Sequence, residues 1–454
     1  MPTFRTMTLR RSLAAALLLA TAQAYSFAQA PASPERRQAV EAEYGVKNAI
    51  VKYDTRTEML SDANLMGGEY SMLLFDDVKL TPAPKGYKPV YISHIGRHGA
   101  RYAVSDDVYE EVREVLSEAH KAGKLTEAGE NLHSRYEKFY PSVAFRGGEL
   151  TQTGQAQHRE IARRMYSNFP EVFKGKTQAV AISTVKPRVM MSMFAFLDEL
   201  RGLDRDFTCR TDAGLCYYPV IHPNNKNNPY RRKTVLPDAA GASVKAMSDS
   251  LVDAESFCSR YFSDTEYLES VYGTEKFESS LRVIVMDIQC LDGEQPDRFT
   301  DIFTHDELFS LWEVWNYNGY VTMGMSPLGG GEQARNCSAI LLNMIEEAQR
   351  DLYSGDVSLN LRFSHDSAIL PLVSFMGLDN FGAVVDDPYE VKNWWRCDKI
   401  PMATNLQLVF YRSRRNPEIL VKVLFNGHEA SLPIPQAYPS FYSWTAFREY
   451  YGNR

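Results

Sequence analysis

Three short apolar runs, each ending abruptly in charged residues, constrain this chain more than any other feature. The first, "GYKPVYIS", leads through His94 into Arg97-His98-Gly99-Ala100-Arg101. The second, "TQAVAIST" (177–184), is followed at once by "VKPR", which carries Arg188. The third, "SLNLRFS" (358–364), runs into His365-Asp366. Val, Ile, Leu and Phe at strand spacing predict a β-strand for each, the first ending at His94. Helical patterns follow the strands. "TQTGQAQHREIARRMYSNF" repeats small and apolar residues at helical spacing, "RVMMSMFAFLDELRGL" reads as a buried helix, and "DSAILPLVSFMGL" follows the third strand directly. Strands alternating with helices predict an α/β fold: a largely parallel central sheet flanked by helices.

The middle of the chain reads differently. Residues 204–350 carry helical runs and little strand signal, so we expect a mostly α-helical cap insertion between core segments 46–203 and 351–454. "THDELFSLWEVWNYNGY" opens with Thr304 and Glu307 at capping-box spacing. "EQARNCSAILLNMIEEAQRDL" reads as one amphipathic helix. "PLGGGEQ" (327–333) lacks the GK[ST] of a phosphate loop and a preceding strand, and reads as a connection. Near the end, "NLQLVFYRS" and "EILVKVLFNG", joined by "RRNP", predict a hairpin. Trp394 and Trp395 read as packing residues.

Both the start of the chain and its charge bear on function. "MPTFRTMTLRR" is basic, "SLAAALLLATA" is apolar but too short to span a bilayer, and Ala22-Gln23-Ala24 or Ser26-Phe27-Ala28 supplies a cleavage site. This is the order of a secretory signal peptide, expected over residues 1–28, with no membrane anchor. Its removal leaves 47 basic against 57 acidic residues, a net −10. So negative a chain is a poor nonspecific nucleic-acid binder, because phosphate contacts dominate that affinity. An exported, periplasmic or secreted, protein is expected. Residues 29–45 are polar and read as loosely held. The six cysteines (209, 216, 258, 290, 337 and 397) form no zinc pattern. Their even number in an exported chain is compatible with disulfides, and Cys209 and Cys216 are close enough in sequence to close a small loop.

In open α/β sheets, ligands bind beyond the carboxyl ends of the strands. If the three strands are neighbours, their ends bring together Arg97, Arg101, Arg188, His98, His365 and Asp366. Arginine's planar fork suits tetrahedral oxyanions, and three would neutralise a phosphate dianion. Surrounding cations depress a histidine's pKa and keep its imidazole neutral, hence nucleophilic. His98 is then the candidate nucleophile and Asp366 the candidate general acid, although a helix start and nearby arginines favour its ionised form. Gly99 would let the backbone pass close to a ligand. Taken alone, each motif has a plainer reading: a surface turn for Arg97-His98-Gly99, a helix N-terminal turn for His365-Asp366. Their joint occurrence at three strand ends is what points to chemistry.

"RHGAR", "STVKPRVMMSMFAFLDEL" and "SHDSAILPLVSFMGL" resemble the histidine phosphatase superfamily. The likeness is to its acid phosphatase and phytase branch, which includes multiple inositol polyphosphate phosphatases. "GELTQTGQAQHREIARRM" and "LVKVLFNGHEASLP" extend the resemblance, to about residues 85–435. It implies a phosphomonoester hydrolase with a phosphohistidine intermediate, no metal and no cofactor, acting on a small-molecule phosphate ester. It makes His98 the nucleophile and Asp366 the proton donor, with Arg97, Arg101, Arg188 and His365 binding the phosphoryl group. Two departures stand out: Ala103 replaces the proline of RHGxRxP, and His365-Asp366-Ser367 replaces the His-Ala-Glu of the inositol polyphosphate branch. The alternative readings are a phosphorylated-ligand binding protein without turnover, a phosphoryl-transfer mutase and a metal-dependent phosphatase. For substrate choice the candidates are Lys186, two residues from Arg188, and the run Arg231, Arg232, Lys233. A solvated charge run is an equally good account of the latter.

Overall fold

A computed structural model describes residues 34–453 except residue 176; the expected signal peptide lies outside them. Nine strands form one sheet: β1 (Tyr87–Arg97), β2 (Gln178–Ser183), β3 (Thr208–Ala213), β4 (Leu359–Ser364), β5 (Asn405–Ser413), β6 (Leu420–Phe425), β7 (His428–Glu429), β8 (Gln436–Tyr438) and β9 (Phe441–Ser443). Their order is β3-β2-β4-β1-β5-β6-β9-β8, with β7 paired to β6. The half made of β3, β2, β4 and β1 is parallel, and β5 onward is antiparallel. β5 and β6 form the hairpin expected from "RRNP". The protein therefore has an α/β fold, and its parallel half follows from the crossovers that return the chain to the same edge each time.

The strand order settles what the sequence left open. The last of the three strands that end in charged residues, β4, inserts between the other two, β2 and β1. Arg97 at the end of β1 is paired in register with Ser364 at the end of β4, and Ser183 of β2 with Phe363 of β4. All three charged strand ends thus meet at one edge of the sheet. β1 runs three residues beyond its expected end, so Arg97 lies on the strand itself.

Helices cover both faces. The main ones are α1 (Pro34–Tyr44), α2 (Asp107–Lys121), α3 (Glu127–Phe139), α4 (Gln152–Asn168), α5 (Pro187–Leu203), α6 (Asp238–Leu251), α7 (Thr274–Asp287), α8 (His305–Met323), α9 (Ser338–Ser354), α10 (Asp366–Met376) and α11 (Trp444–Gly452). On one face, Ile161 and Met165 of α4 and Val189, Met193 and Phe196 of α5 pack on Ile92, Leu359, Leu361 and Phe363. The other face is continuous with a larger core that takes in Tyr91, Ile95, Leu408, Ile340 of α9, Ile369 of α10 and Trp312 of α8. Trp394 and Trp395 are buried in it. The capping box of α8 forms as its spacing predicts: Thr304 Oγ1 accepts from Glu307 N (3.2 Å), and Glu307 Oε2 accepts from Thr304 N (2.8 Å).

Several local expectations are corrected. Residues 34–44, expected to be loose, are helical, because the Arg37 guanidinium is buried and donates to the carbonyls of Asn48, Gly377 and Asp379. The single helix expected from "EQARNCSAILLNMIEEAQRDL" breaks at Cys337 into Glu332–Asn336 and α9. β3 lies beyond residue 204, so the sheet extends into the segment read as helical insertion. All six cysteines are free thiols, and the expected disulfides do not form. Cys209 packs against the apolar core while Cys216 is exposed, so the two nearest in sequence do not meet.

Candidate active site

The loop after β1 is clamped before any side chain is considered. A Cβ on Gly99 would lie 2.3 Å from the Gly154 carbonyl oxygen, and a Cβ on Gly154 2.2 Å from the Ala100 carbonyl oxygen. The two glycines let the loop press against the first turn of α4. Gly99 therefore serves the packing of backbone on backbone, not the approach to a ligand that the sequence suggested. Polar side chains complete the clamp. Ala100 N donates to Gln157 Oε1 (2.9 Å), Thr151 Oγ1 donates to Ala100 O (2.9 Å), and Gly99 N donates to Ser192 Oγ (3.1 Å). Gln157 comes from α4 and Ser192 from α5, so both helices fix the loop.

His98, 1% exposed, stands at the centre. Its Nδ1 is 3.0 Å from its neighbour's carbonyl, Gly99 O. A carbonyl can only accept, so in the neutral ring the proton sits on Nδ1 and the lone pair on Nε2. Burial, then Arg97, Arg188, Arg101 and His365, hold its pKa well below the ordinary histidine value. The His365 ring is 5.5 Å away, nearly edge-on, and its Nε2 lies 3.1 Å from Thr184 Oγ1. His365 is neutral too: burial lowers its pKa well below the usual value, reinforced by His222 and Arg188.

The three arginines are not equivalent. Arg97 is pinned: Nη1 donates to the carbonyls of Glu69 (2.5 Å) and Ile400 (2.9 Å), and Nη2 to Asp366 Oδ2 (2.6 Å). Arg101 donates to Tyr102 O (2.8 Å) and lies over the Tyr70 ring, 5.4 Å from its centroid. Arg188, in the first turn of α5, has no carboxylate within ion-pair distance among the described residues, and its Nε has no partner. Its pKa is lowered to about 10 by burial and by the charge of Arg101. A guanidinium made less comfortable by burial and like charge gains from any anion that arrives.

Asp366 is the first residue of α10, and its Oδ1 accepts from Ser367 N (2.6 Å). Burial pushes its carboxyl up, but Arg97, His365, Arg101 and that N–H together hold it below the ordinary range. It is a carboxylate in the resting protein.

Every one of the six core residues expected from sequence thus meets at one rim. The four specificity candidates are exposed. Lys186 precedes α5 directly. Arg231, Arg232 and Lys233 lie in an irregular stretch after the His222–Asn228 turns, and their side chains make no ion pair with any described residue. Sequence reasoning missed several neighbours. His222, from the middle segment, lies 4.7 Å ring to ring from His365, with its Nε2 3.0 Å from Ser367 Oγ. Burial lowers its pKa to about 4. Asp287, the last residue of α7, is buried with Oδ1 unpartnered; burial pushes it up to about 7 despite the charge of Arg101. Glu69 and Tyr70 come from a 3₁₀ segment, Ala63–Tyr70, that carried no signal at all.

The model of the histidine phosphatase superfamily, branch 2, matches residues 92–426. No curated protein sequence matches the chain. Among solved structures, the chain is similar to the Bifidobacterium longum multiple inositol polyphosphate phosphatase in complex with inositol hexasulfate: 16% identity, TM-score 0.70, covering 84% of this chain and 96% of that one. The phytase from D. castellii gives 15% identity and a TM-score of 0.62, covering 86% of this chain and 84% of that one. The Hafnia alvei phytase in complex with myo-inositol hexakis sulphate gives 13% and 0.53, covering 82% of this chain and 98% of that one. At these identities the likeness is one of fold.

Proposed function

This chain belongs to the histidine phosphatase superfamily, branch 2, and is a phosphomonoester hydrolase; from that premise we propose that it is exported and works through a phosphohistidine at His98 on a polyphosphorylated small molecule. The observation that carries the mechanism is the His98 tautomer. A neutral imidazole with Nδ1 engaged by Gly99 O presents an Nε2 lone pair to a rim holding three guanidiniums. The substrate phosphoryl group lies among Arg97, Arg101, Arg188 and His365, and Nε2 attacks phosphorus as the P–O bond to the alcohol breaks. The leaving oxygen takes a proton from Asp366. Water then attacks the phosphohistidine, the P–N bond breaks, and inorganic phosphate leaves.

Asp366 is ionised in the free protein, so the proton must arrive with the substrate. A phosphate monoester has its second pKa near ~6, and its monoanion carries one proton into the site. Once the phosphoryl oxygens occupy Arg97, that guanidinium stabilises Asp366 less, and the carboxyl can hold the proton. On this account kcat/KM falls as pH rises through the ester's own pKa.

Residues 204–350 we assign to a cap over this rim. Its ends are woven into the core: β3 pairs with β2, and α9 packs against β1 and α10. Lys186, immediately before α5, and the Arg231–Lys233 run of the cap are the candidate contacts to additional phosphates. The neighbours bound to inositol sulphates support testing an inositol polyphosphate first. Residues 1–28 we assign to an export signal; no described helix is long and apolar enough to cross a membrane.

The test is an activity panel at several pH values with inositol hexakisphosphate, glucose 1-phosphate and p-nitrophenyl phosphate, with His98→Ala as control. Phosphate release that survives undiminished in that variant removes His98 from its role. A fast quench that traps no acid-labile, base-stable phosphoprotein in the wild type removes the covalent step.

A further inference from the structure

We propose a zinc site, separate from the catalytic rim, between His120, Glu130 and His133 on the hairpin of α2 and α3. One ligand atom from each of the three side chains lies within 4.8 Å of the other two. His120 Nδ1 and Glu130 Oε2 are 2.6 Å apart, and the two imidazole rings are stacked at 4.7 Å with 27° between their planes. Two imidazoles and one carboxylate are a donor set for zinc or another first-row divalent ion, and a poor one for calcium or magnesium, which take oxygen.

The helices bring the set together by simple geometry. His120 is in the last turn of α2, and Glu130 and His133 are at i and i+3 on α3, hence on one face. The intervening turn is short and reverses at Gly123, whose φ is +64°. Behind the site, Arg113 holds Glu137 through two hydrogen bonds of 2.8 Å, and Glu137 Oε1 stands 3.9 Å from His133 Nε2. A carboxylate beside a ligating histidine helps to orient its ring. The side chains of His120 and Glu130 are about half exposed, at 50% and 42%, so both can adjust.

Binding needs only a small rearrangement. Ligand atoms around tetrahedral zinc are about 3.4 Å apart, so the His120–Glu130 contact opens and the Nδ1 proton moves to Nε2, leaving Nδ1 to bind. Solvent water completes the coordination. His120 lies thirteen residues along α2 from its start, about 20 Å along the helix axis, so the ion ties two helices together and takes no part in turnover.

The test uses the full chain freed of metal with a chelator and titrated with zinc by calorimetry, and with cobalt followed by its visible absorption. Expected are one equivalent bound, a tetrahedral cobalt spectrum, and a Tm rise of about 2–4 °C once zinc exceeds its Kd about 100-fold. All three are lost in His120→Ala/His133→Ala, while its phosphatase activity without zinc equals that of the parent. His120 is half exposed and His133 partly so, at 17%, and the double variant is expected to fold; its unchanged activity verifies this. The proposal is overturned if no stoichiometric binding occurs, or if the double variant binds zinc as the parent does.

Discussion

Two histidines on and just past β1, His94 and His98, are equally buried and only one is set up to react. His94 is fully buried, and its ring lies 5.3 Å from Phe196 and 5.6 Å from Phe363. Neither of its nitrogens has a hydrogen-bond partner among the described residues, and the only polar partner of its companion His158 is the backbone of Arg97. Gly96 gives the ring its room: a Cβ there would come within 2.9 Å of His94 Cε1. Burial lowers both pKa values, to about 3 for His94 and about 4 for His158. Burial is also the largest influence on His98. A neutral imidazole is therefore cheap to make in this fold, and neutrality alone does not mark a nucleophile. Three further features set His98 apart: a fixed tautomer, cations that can hold its target, and an acid at the next strand end.

The sharpest way to break the comparison is to remove each imidazole. His98→Ala should lower phosphomonoesterase activity by about 10⁴-fold or more, in line with loss of a nucleophile. His94→Leu should leave kcat within a few-fold. Steady-state kinetics on p-nitrophenyl phosphate decides it, and equal losses in the two variants would mean that burial, not the rim, matters. Next in size is Asp366→Asn. The loss should be about 10²-fold for an alkyl phosphate such as glucose 1-phosphate, whose alkoxide needs a proton to leave. For an aryl phosphate the same change should cost about tenfold or less. A loss independent of the leaving group would take Asp366 out of the proton-donor role.

How much of this contrast was legible in the sequence depends on how local each signal is. The three strand ends could be read because apolar alternation and an abrupt switch to Arg, His and Asp are local patterns. That β4 would insert between β1 and β2 could not be read, because the pairing joins residues more than 170 positions apart. Glu69, Tyr70, His222 and Asp287 reach the rim from segments with no charged spacing of their own, so nothing local announced them. Gly99 was seen but misassigned, since its partner Gly154 is more than fifty residues away. The helix at residues 34–44 was missed for a similar reason. Its polar sequence is held by the guanidiniums of Arg36 and Arg37, which find their carbonyls elsewhere in the fold.

A smaller effect separates the two clusters through stability. His94 and His158 have folded pKa values below the unfolded value of about 6.5. Between that value and the folded one, the unfolded chain binds protons that the native state refuses. Their contribution is thus fully present above about pH 6.5 and lost as pH falls toward 3 to 4. His94→Leu removes one such group, so it should flatten the acid limb by about 2 kcal/mol near pH 4.5, measured by denaturant unfolding at a series of pH values. An acid limb as steep as the parent's would place the pH sensitivity in the rim.

The smallest expected effect is the most discriminating. Inorganic phosphate held by Arg97, Arg101 and Arg188 brings negative charge beside His98, His365 and His222, and opposite charge favours the protonated ring. Their titrations should move up, whereas His94 and His158, walled off by Phe196 and Phe363, should not respond. Histidine-selective ¹³C labelling, with and without phosphate, separates the two sets between pH 4 and 7, and His222, with its pKa near 4, supplies the clearest signal. Assignment comes from His94→Leu and His98→Ala in turn. If His94 moved as far as His222, the wall of phenylalanines would not insulate it, and the distinction between a buried histidine and a poised one would have to rest on the tautomer alone.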